Sequence, residues 1–114
     1  NENLNHIIQM TLGDKQRLFS RLVPRLLDKA HELGFEVTIG HAMRCQNCPT
    51  GRKTSLHKSK LAIDLNLFKD GDYLTTTEDH RELGEWWEKQ HLLCSWGGNF
   101  QDGNHYSITH QGRR

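Results

Sequence analysis

Apolar residues recur at helical spacing from about Lys15 to Leu33. Leu18, Leu22, Leu26 and Leu33, with Phe19, Val23, Leu27 and Ala30, form a broad stripe. That pattern predicts an amphipathic helix. Asp14 stands where an N-cap belongs and Gly34 where a C′ glycine belongs. Pro24 falls inside the stripe. Proline costs about 3 kcal/mol in a helix interior, so a kink or break is expected there. Phe35 to Ile39 then alternates apolar and polar residues, as a half-buried strand does. From Gly40 to Ser55 the chain is polar, with glycine, Pro49 and the pair Cys45 and Cys48. It reads as a long loop, which in a small domain usually serves function.

A second alternating run covers Leu61 to Phe68. Leu61, Ile63, Leu65 and Leu67 share one face, and Ala62, Asp64, Asn66 and Phe68 share the other. Asp70-Gly71-Asp72 is a turn. Thr75 and Glu78 have capping-box spacing and would open a helix over about Thr76 to Gln90, anchored by Leu83, Trp86 and Trp87. Leu92 to Trp96 suggests a short strand, GGNFQDGN a run of turns, and Tyr106 to Thr109 a last strand. Two helices mixed with short strands, not in strict alternation, predict an α+β fold: a small antiparallel sheet with packed helices. The 114 residues suit one domain spanning 1–114.

Asp64 breaks the apolar run LAIDLNLF. A carboxylate in a mostly buried strand is costly unless it is paired. An ordinary salt bridge or hydrogen-bonded turn would satisfy it. His57, however, lies seven residues upstream beyond Lys58-Ser59-Lys60, and a turn there would fold it back beside Asp64. Ala62, small and on the same face, leaves room for an ion and a substrate. The segment WGGNFQDGNHY is the second anomaly, with Asp102 three residues before His105. Alone it could be a surface turn with a solvated carboxylate. Together, two histidines and one carboxylate make three ligands and leave a fourth position open, the coordination of a catalytic zinc ion. Such an ion acidifies its water and polarises a carbonyl. Asp102 would take the proton from that water and pass it to the leaving amine.

Composition narrows the field. Fifteen Lys and Arg against fourteen Asp and Glu give a net charge of +1, so bulk charge argues against a nucleic-acid partner. No apolar run approaches the roughly 18 residues of a membrane span, so no membrane partner is expected. Eight histidines is a high count, and histidine is a common metal ligand. Three cysteines do not make a disulfide framework. The N-terminal NENLNHIIQM carries no basic segment followed by an apolar core, so synthesis in the cytoplasm without a signal peptide is expected.

At this point the sequence resembles a family. SLHKSKLAIDLNLF is similar to the Ser-x-His-x6-Asp signature of the zinc D-alanyl-D-alanine carboxypeptidases and L-alanyl-D-glutamate endopeptidases. WGGNFQDGNHYSI resembles their second signature, Trp-Gly-Gly followed by an acidic residue three before a histidine. Arg44, in GHAMRC, holds the place of the family's arginine after the first strand. The likeness runs from about Gln16 to His110 and is to the short, single-domain peptidases of phages and prophages. It implies a hedgehog/DD-peptidase-like fold binding one zinc ion through His57, Asp64 and His105, with Asp102 as general base and acid. Arg44 would hold a substrate carboxylate or the developing oxyanion, and Ser55 would hydrogen-bond near the substrate or a ligand. The sequence departs from the pattern at His41, Ala42, Met43, Lys60 and Tyr106, none of them a proposed ligand.

The expected function is that of a monomeric zinc peptidase cleaving peptidoglycan stem peptides, an endolysin-type L-alanyl-D-glutamate endopeptidase. It would reach the cell wall only after release from the cytoplasm. The alternatives are a D,D-carboxypeptidase releasing terminal D-Ala and a non-catalytic zinc-binding module on the same fold. Cys45 and Cys48 have zinc-knuckle spacing, and with Cys94 and His41 they could form a structural site, a disulfide, or remain thiols. A nucleic-acid zinc knuckle on that pair is a weaker option. Of Trp86 and Trp87, adjacent on a helix, one should be core and the other could edge a cleft. His6, His31, His80 and His91 are expected at the surface. His110 should lie on the opposite strand face from His105. Arg52, Lys53, Lys58 and Lys60 flank His57; a solvated loop is the default reading, and attraction of a polyanionic wall the functional one.

Overall fold

The computed structural model describes residues 4–40 and 60–111, with the side chains of residues 4–6 left aside. The expected sites at Arg44, Ser55 and His57, the cysteine pair and the loop that carries them lie outside the described residues.

Two helices open the chain, a short α1 (Leu4–Gln9) and the long α2 (Leu12–Glu32). Thr11 caps α2: its side chain accepts from the Asp14 amide, and the Asp14 carboxylate accepts from the Thr11 amide. Asp14 is therefore the return half of a capping box rather than the cap itself. Gly34, at φ +95°, ends the helix with its amide on the His31 carbonyl, and the Phe35 amide reaches Ala30. This is a Schellman closure. The expected break at Pro24 does not occur; α2 runs through it. Pro24 and Ser20, whose carbonyl loses its partner to the proline, are both exposed, so water can satisfy the freed group. On the other side Leu18, Phe19, Leu22, Leu26 and Ala30 are buried and hold the helix to the sheet.

The sheet has β1 (Glu36–Ile39), β2 (Ala62–Lys69), β3 (Asp72–Leu74), β4 (Cys94–Trp96) and β5 (His105–Ile108). The order is β1-β2-β5-β4, and β3 also pairs with β2; all pairings are antiparallel. The α+β class is as the sequence pattern implies. The expected strands lie within a residue or two of the observed ones, while β3 is an addition. It is made by a hairpin whose two turn residues, Asp70 (φ +53°) and Gly71 (φ +84°), both take left-handed backbone. An Asp-Gly pair suits that turn because its twist matches the strands it joins.

The second helical segment is shorter than expected. A 3-10 turn (Glu78–His80) leads into α3 (Arg81–Glu88). The reciprocal capping pair is Thr76 with Asp79, one residue along from Thr75 and Glu78. Helices α2 and α3 pack on one face of the sheet, against Leu61, Ile63, Leu65, Leu67, Tyr106 and Ile108. Of the adjacent pair, Trp87 is the one in the core, and its indole N–H is shared between the Ser95 and Ser107 carbonyls of β4 and β5. Trp86 is partly buried at the edge of the core. Among the described residues, no helix is long and apolar enough to cross a membrane.

Candidate functional site

β2 and β5 pair so that Asp64 lies directly opposite His105, and Ile63 opposite Tyr106. Opposed residues of an antiparallel pair point to one side. Ile63 and Tyr106 face the helices, so Asp64 and His105 face away from them. This register is what brings together two residues far apart in the sequence. Asp64 Oδ1 and His105 Nδ1 are 3.4 Å apart, with side chains only 15% and 11% exposed.

Asp102 arrives from the turn before β5. Its carbonyl accepts from the His105 amide, and its own amide donates to the Gly97 carbonyl. Its carboxylate Oδ2 stands 4.0 Å from His105 Nδ1 and remains 60% exposed. The Trp-Gly-Gly signature has a structural reason here. Trp96 is buried and donates its indole N–H to the Gly103 carbonyl at 2.6 Å, tying the ends of the turn together. A Cβ on Gly97 would stand 2.2 Å from the Asp102 carbonyl oxygen and 3.0 Å from His105 Cβ. Only glycine lets the turn approach closely enough to set Asp102 beside His105.

The donor pair can be tested against a metal by its separation. Zinc holds nitrogen and oxygen donors at about 2.0–2.2 Å, which puts adjacent tetrahedral corners about 3.3 Å apart. A charge-assisted N–H···O bond is shorter, at about 2.7–2.9 Å. The 3.4 Å separation suits two corners of one ion better than a strong ion pair. An imidazole nitrogen and a carboxylate oxygen are also donors that zinc accepts. Among the described residues, no three His, Cys, Asp or Glu side chains gather as a metal-holding group. Asp64 and His105 supply two donors, and the expected third, His57, is outside that set.

Other histidines divide differently from the sequence expectation. His31 is exposed and His91 half-buried. His110 Nδ1 lies 3.0 Å from Lys15 Nζ, away from His105. His80, expected at the surface, is 3% exposed. The 3-10 turn directs it onto the core face, where its Nδ1 and the Tyr106 hydroxyl are hydrogen-bonded at 2.8 Å. Burial pulls its pKa down to about 4, against a weaker upward pull from Asp79, so the ring is neutral at pH 7. Cys94 is a buried thiol on β4, and burial pushes its pKa up to about 12.

A cavity of about 230 Å³ lies beside Asp102, lined by residues that include Thr75, Thr76, Thr77, His80, Asn104 and Asp102. Apart from Asp102, the sequence pattern does not point to its lining. Three consecutive threonines before a histidine were the available signal, but a threonine run is equally a solvated turn. Comparison with known protein families finds no matching family model, and comparison with curated proteins finds no match.

Proposed function

We propose that this protein is a zinc-dependent peptidase that cleaves peptidoglycan stem peptides, with an L-alanyl-D-glutamate endopeptidase of endolysin type as the specific form. The observation that carries the reading is the registered Asp64–His105 pair at 3.4 Å with the Asp102 carboxylate beside it. Asp64 and His105, with His57, would hold the ion. Bound zinc would supply a Lewis acid for the amide carbonyl and an acidified water as nucleophile.

This chain's own residues do the remaining work. Strand pairing holds the two described donors in place before any ion arrives, so little reorganisation is needed. Asp102 is exposed where the donors are sheltered, which suits a group that must meet both water and substrate. Its carboxylate accepts the proton of the attacking water and returns it to the departing amine nitrogen. The Gly97 and Trp96 contacts fix the backbone that carries it. Arg44 would bind a substrate carboxylate or the oxyanion, and Ser55 would support the site from nearby.

The test is mass spectrometry of peptidoglycan digested by the full chain, with and without a chelator, alongside metal analysis of the protein. We expect one zinc per chain, chelator-sensitive hydrolysis, and products ending in a free N-terminal D-glutamyl residue. Release of terminal D-Ala instead would reassign the enzyme as a D,D-carboxypeptidase. Stoichiometric zinc with no cleavage would favour the non-catalytic module, and no zinc at all would overturn the proposal.

A further inference from the structure

We infer that the cavity beside Asp102 is a subsite for an uncharged carboxamide group on the substrate residue next to the scissile bond. The inference rests on the peptidase reading and goes beyond it in assigning the chemistry of a substrate side group.

The cavity exists because one edge of β2 changes partner along its length. β5 pairs with Ala62, Ile63 and Asp64, and β3 with Leu67, Phe68 and Lys69. Both lie on the edge opposite β1, since β1 already pairs with residues from Leu65 to Phe68. Leu65 and Asn66 fall between the two partners; the Asn104 carbonyl accepts from the Leu65 amide and the Tyr73 hydroxyl donates to the Asn66 side chain. The opening left there is the cavity, and Asp102 is at once part of its wall and the neighbour of His105.

Its size points to one side group rather than a whole ligand. Drug-sized ligands occupy roughly 300–1,000 Å³, and this cavity measures about 230 Å³. Its wall is firm. Thr76 and Asp79 bond each other reciprocally, and His80 is held by Tyr106. Gly103 sits so close to Thr77 that a Cβ there would come within 2.5 Å of the Thr77 Cα.

Its chemistry selects the group. Threonine hydroxyls and the Asn104 amide can each donate and accept, as a carboxamide also does. His80 is neutral, so it adds a hydrogen-bonding ring and no positive charge. Among the described residues lining the cavity there is one carboxylate, Asp102, and no lysine or arginine. A carboxylate entering would meet Asp102 without a cation in that wall, whereas an amide N–H can donate to it.

The experiment has two arms, both on the full chain. In the first, two synthetic stem peptides are compared that differ only in carrying a carboxamide or a carboxylate on the flanking residue. We expect kcat/KM to favour the carboxamide by about tenfold or more, mainly through KM. Thr77→Val, which removes a hydroxyl at nearly constant shape, should shrink that preference. Thr75→Lys, at an exposed position, should turn it toward the carboxylate. Equal kcat/KM for the two peptides, or a preference that neither variant changes, overturns the inference. In the second arm, amide shifts in NMR follow titration with N-acetyl-alanine amide and with N-acetyl-alaninate. Shifts confined to Thr75–Thr77, His80 and Asn104 with the amide alone support the subsite; equal or scattered shifts overturn it. Localised binding without hydrolysis of either peptide would refute the peptidase reading and leave the carboxamide site standing. Hydrolysis without preference or localised shifts would do the reverse.

Discussion

Along β2 and the residue before it, Leu61, Ile63, Leu65 and Leu67 are almost wholly sealed from solvent, while Asp64, Asn66 and Phe68 on the other face are only half-buried. The leucine side packs on α2 and α3 and supplies the burial that holds the domain together. The aspartate side carries polar contacts of modest worth: the Asn66 amide donates to Thr38 and accepts from Tyr73. The difference explains how a short strand tolerates a carboxylate. Asp64 does not interrupt the core, because pleating turns it away from every leucine beside it. On the proposed function, stability and chemistry are thus divided between two faces of one strand.

The sharpest way to break that division is at Asp102, whose exposed carboxylate stands beside His105. Asp102→Ala should lower wall hydrolysis by about 10²–10⁴-fold while zinc content and melting temperature hold. A variant that keeps zinc and lyses walls at the normal rate would remove the proton-transfer role. The core face gives the next effect. Leu67→Ala should cost about 3 kcal/mol in urea unfolding, against under about 1 kcal/mol for its neighbour Asn66→Ala. Equal losses would mean that the faces are not energetically distinct.

His80 refines the comparison because it is a polar group on the core face. Its pKa in the folded chain is about 4 against an ordinary value of 6.5, so the unfolded chain binds more protons between those values. Stability should therefore be fully present above pH 6.5 and fall as the pH drops toward 4, by up to roughly 3 kcal/mol. His80→Gln should flatten that slope in pH-dependent urea melts, and an unchanged slope would show that His80 is not its source. The smallest effect is remote from both faces: Thr11→Ala should cost about 1 kcal/mol through the lost cap, with no change in hydrolysis per folded molecule.

Much of this division was legible in the sequence, and the exceptions have physical reasons. The alternation from Leu61 to Phe68 told the faces of β2 apart because a period of two leaves no other arrangement. The Asp64–His105 proximity was anticipated from chemistry, but its cause, direct opposition in the β2–β5 register, is a long-range fact that no local pattern carries. At Pro24 the kink-or-break expectation fails in its second half: α2 is unbroken, because burial of Leu18, Leu22 and Leu26 on its far side outweighs the cost of the proline. The shift from Thr75 and Glu78 to Thr76 and Asp79 shows the ambiguity of three adjacent threonines, each able to cap. His80 lies inside rather than at the surface because a 3-10 turn, not an α-helix, precedes α3 and rotates it inward. The cavity had no sequence signature, since it arises where β5 gives way to β3.

The opposition of Asp64 and His105 across two strands has a consequence for when such a molecule becomes active. A slip of one residue in pairing would send one of the two side chains to the wrong side of the sheet. An incompletely assembled chain would thus lack the donor pair altogether. Under the proposed peptidase reading, correct assembly would act as the safety catch, and nascent or misthreaded copies would be harmless.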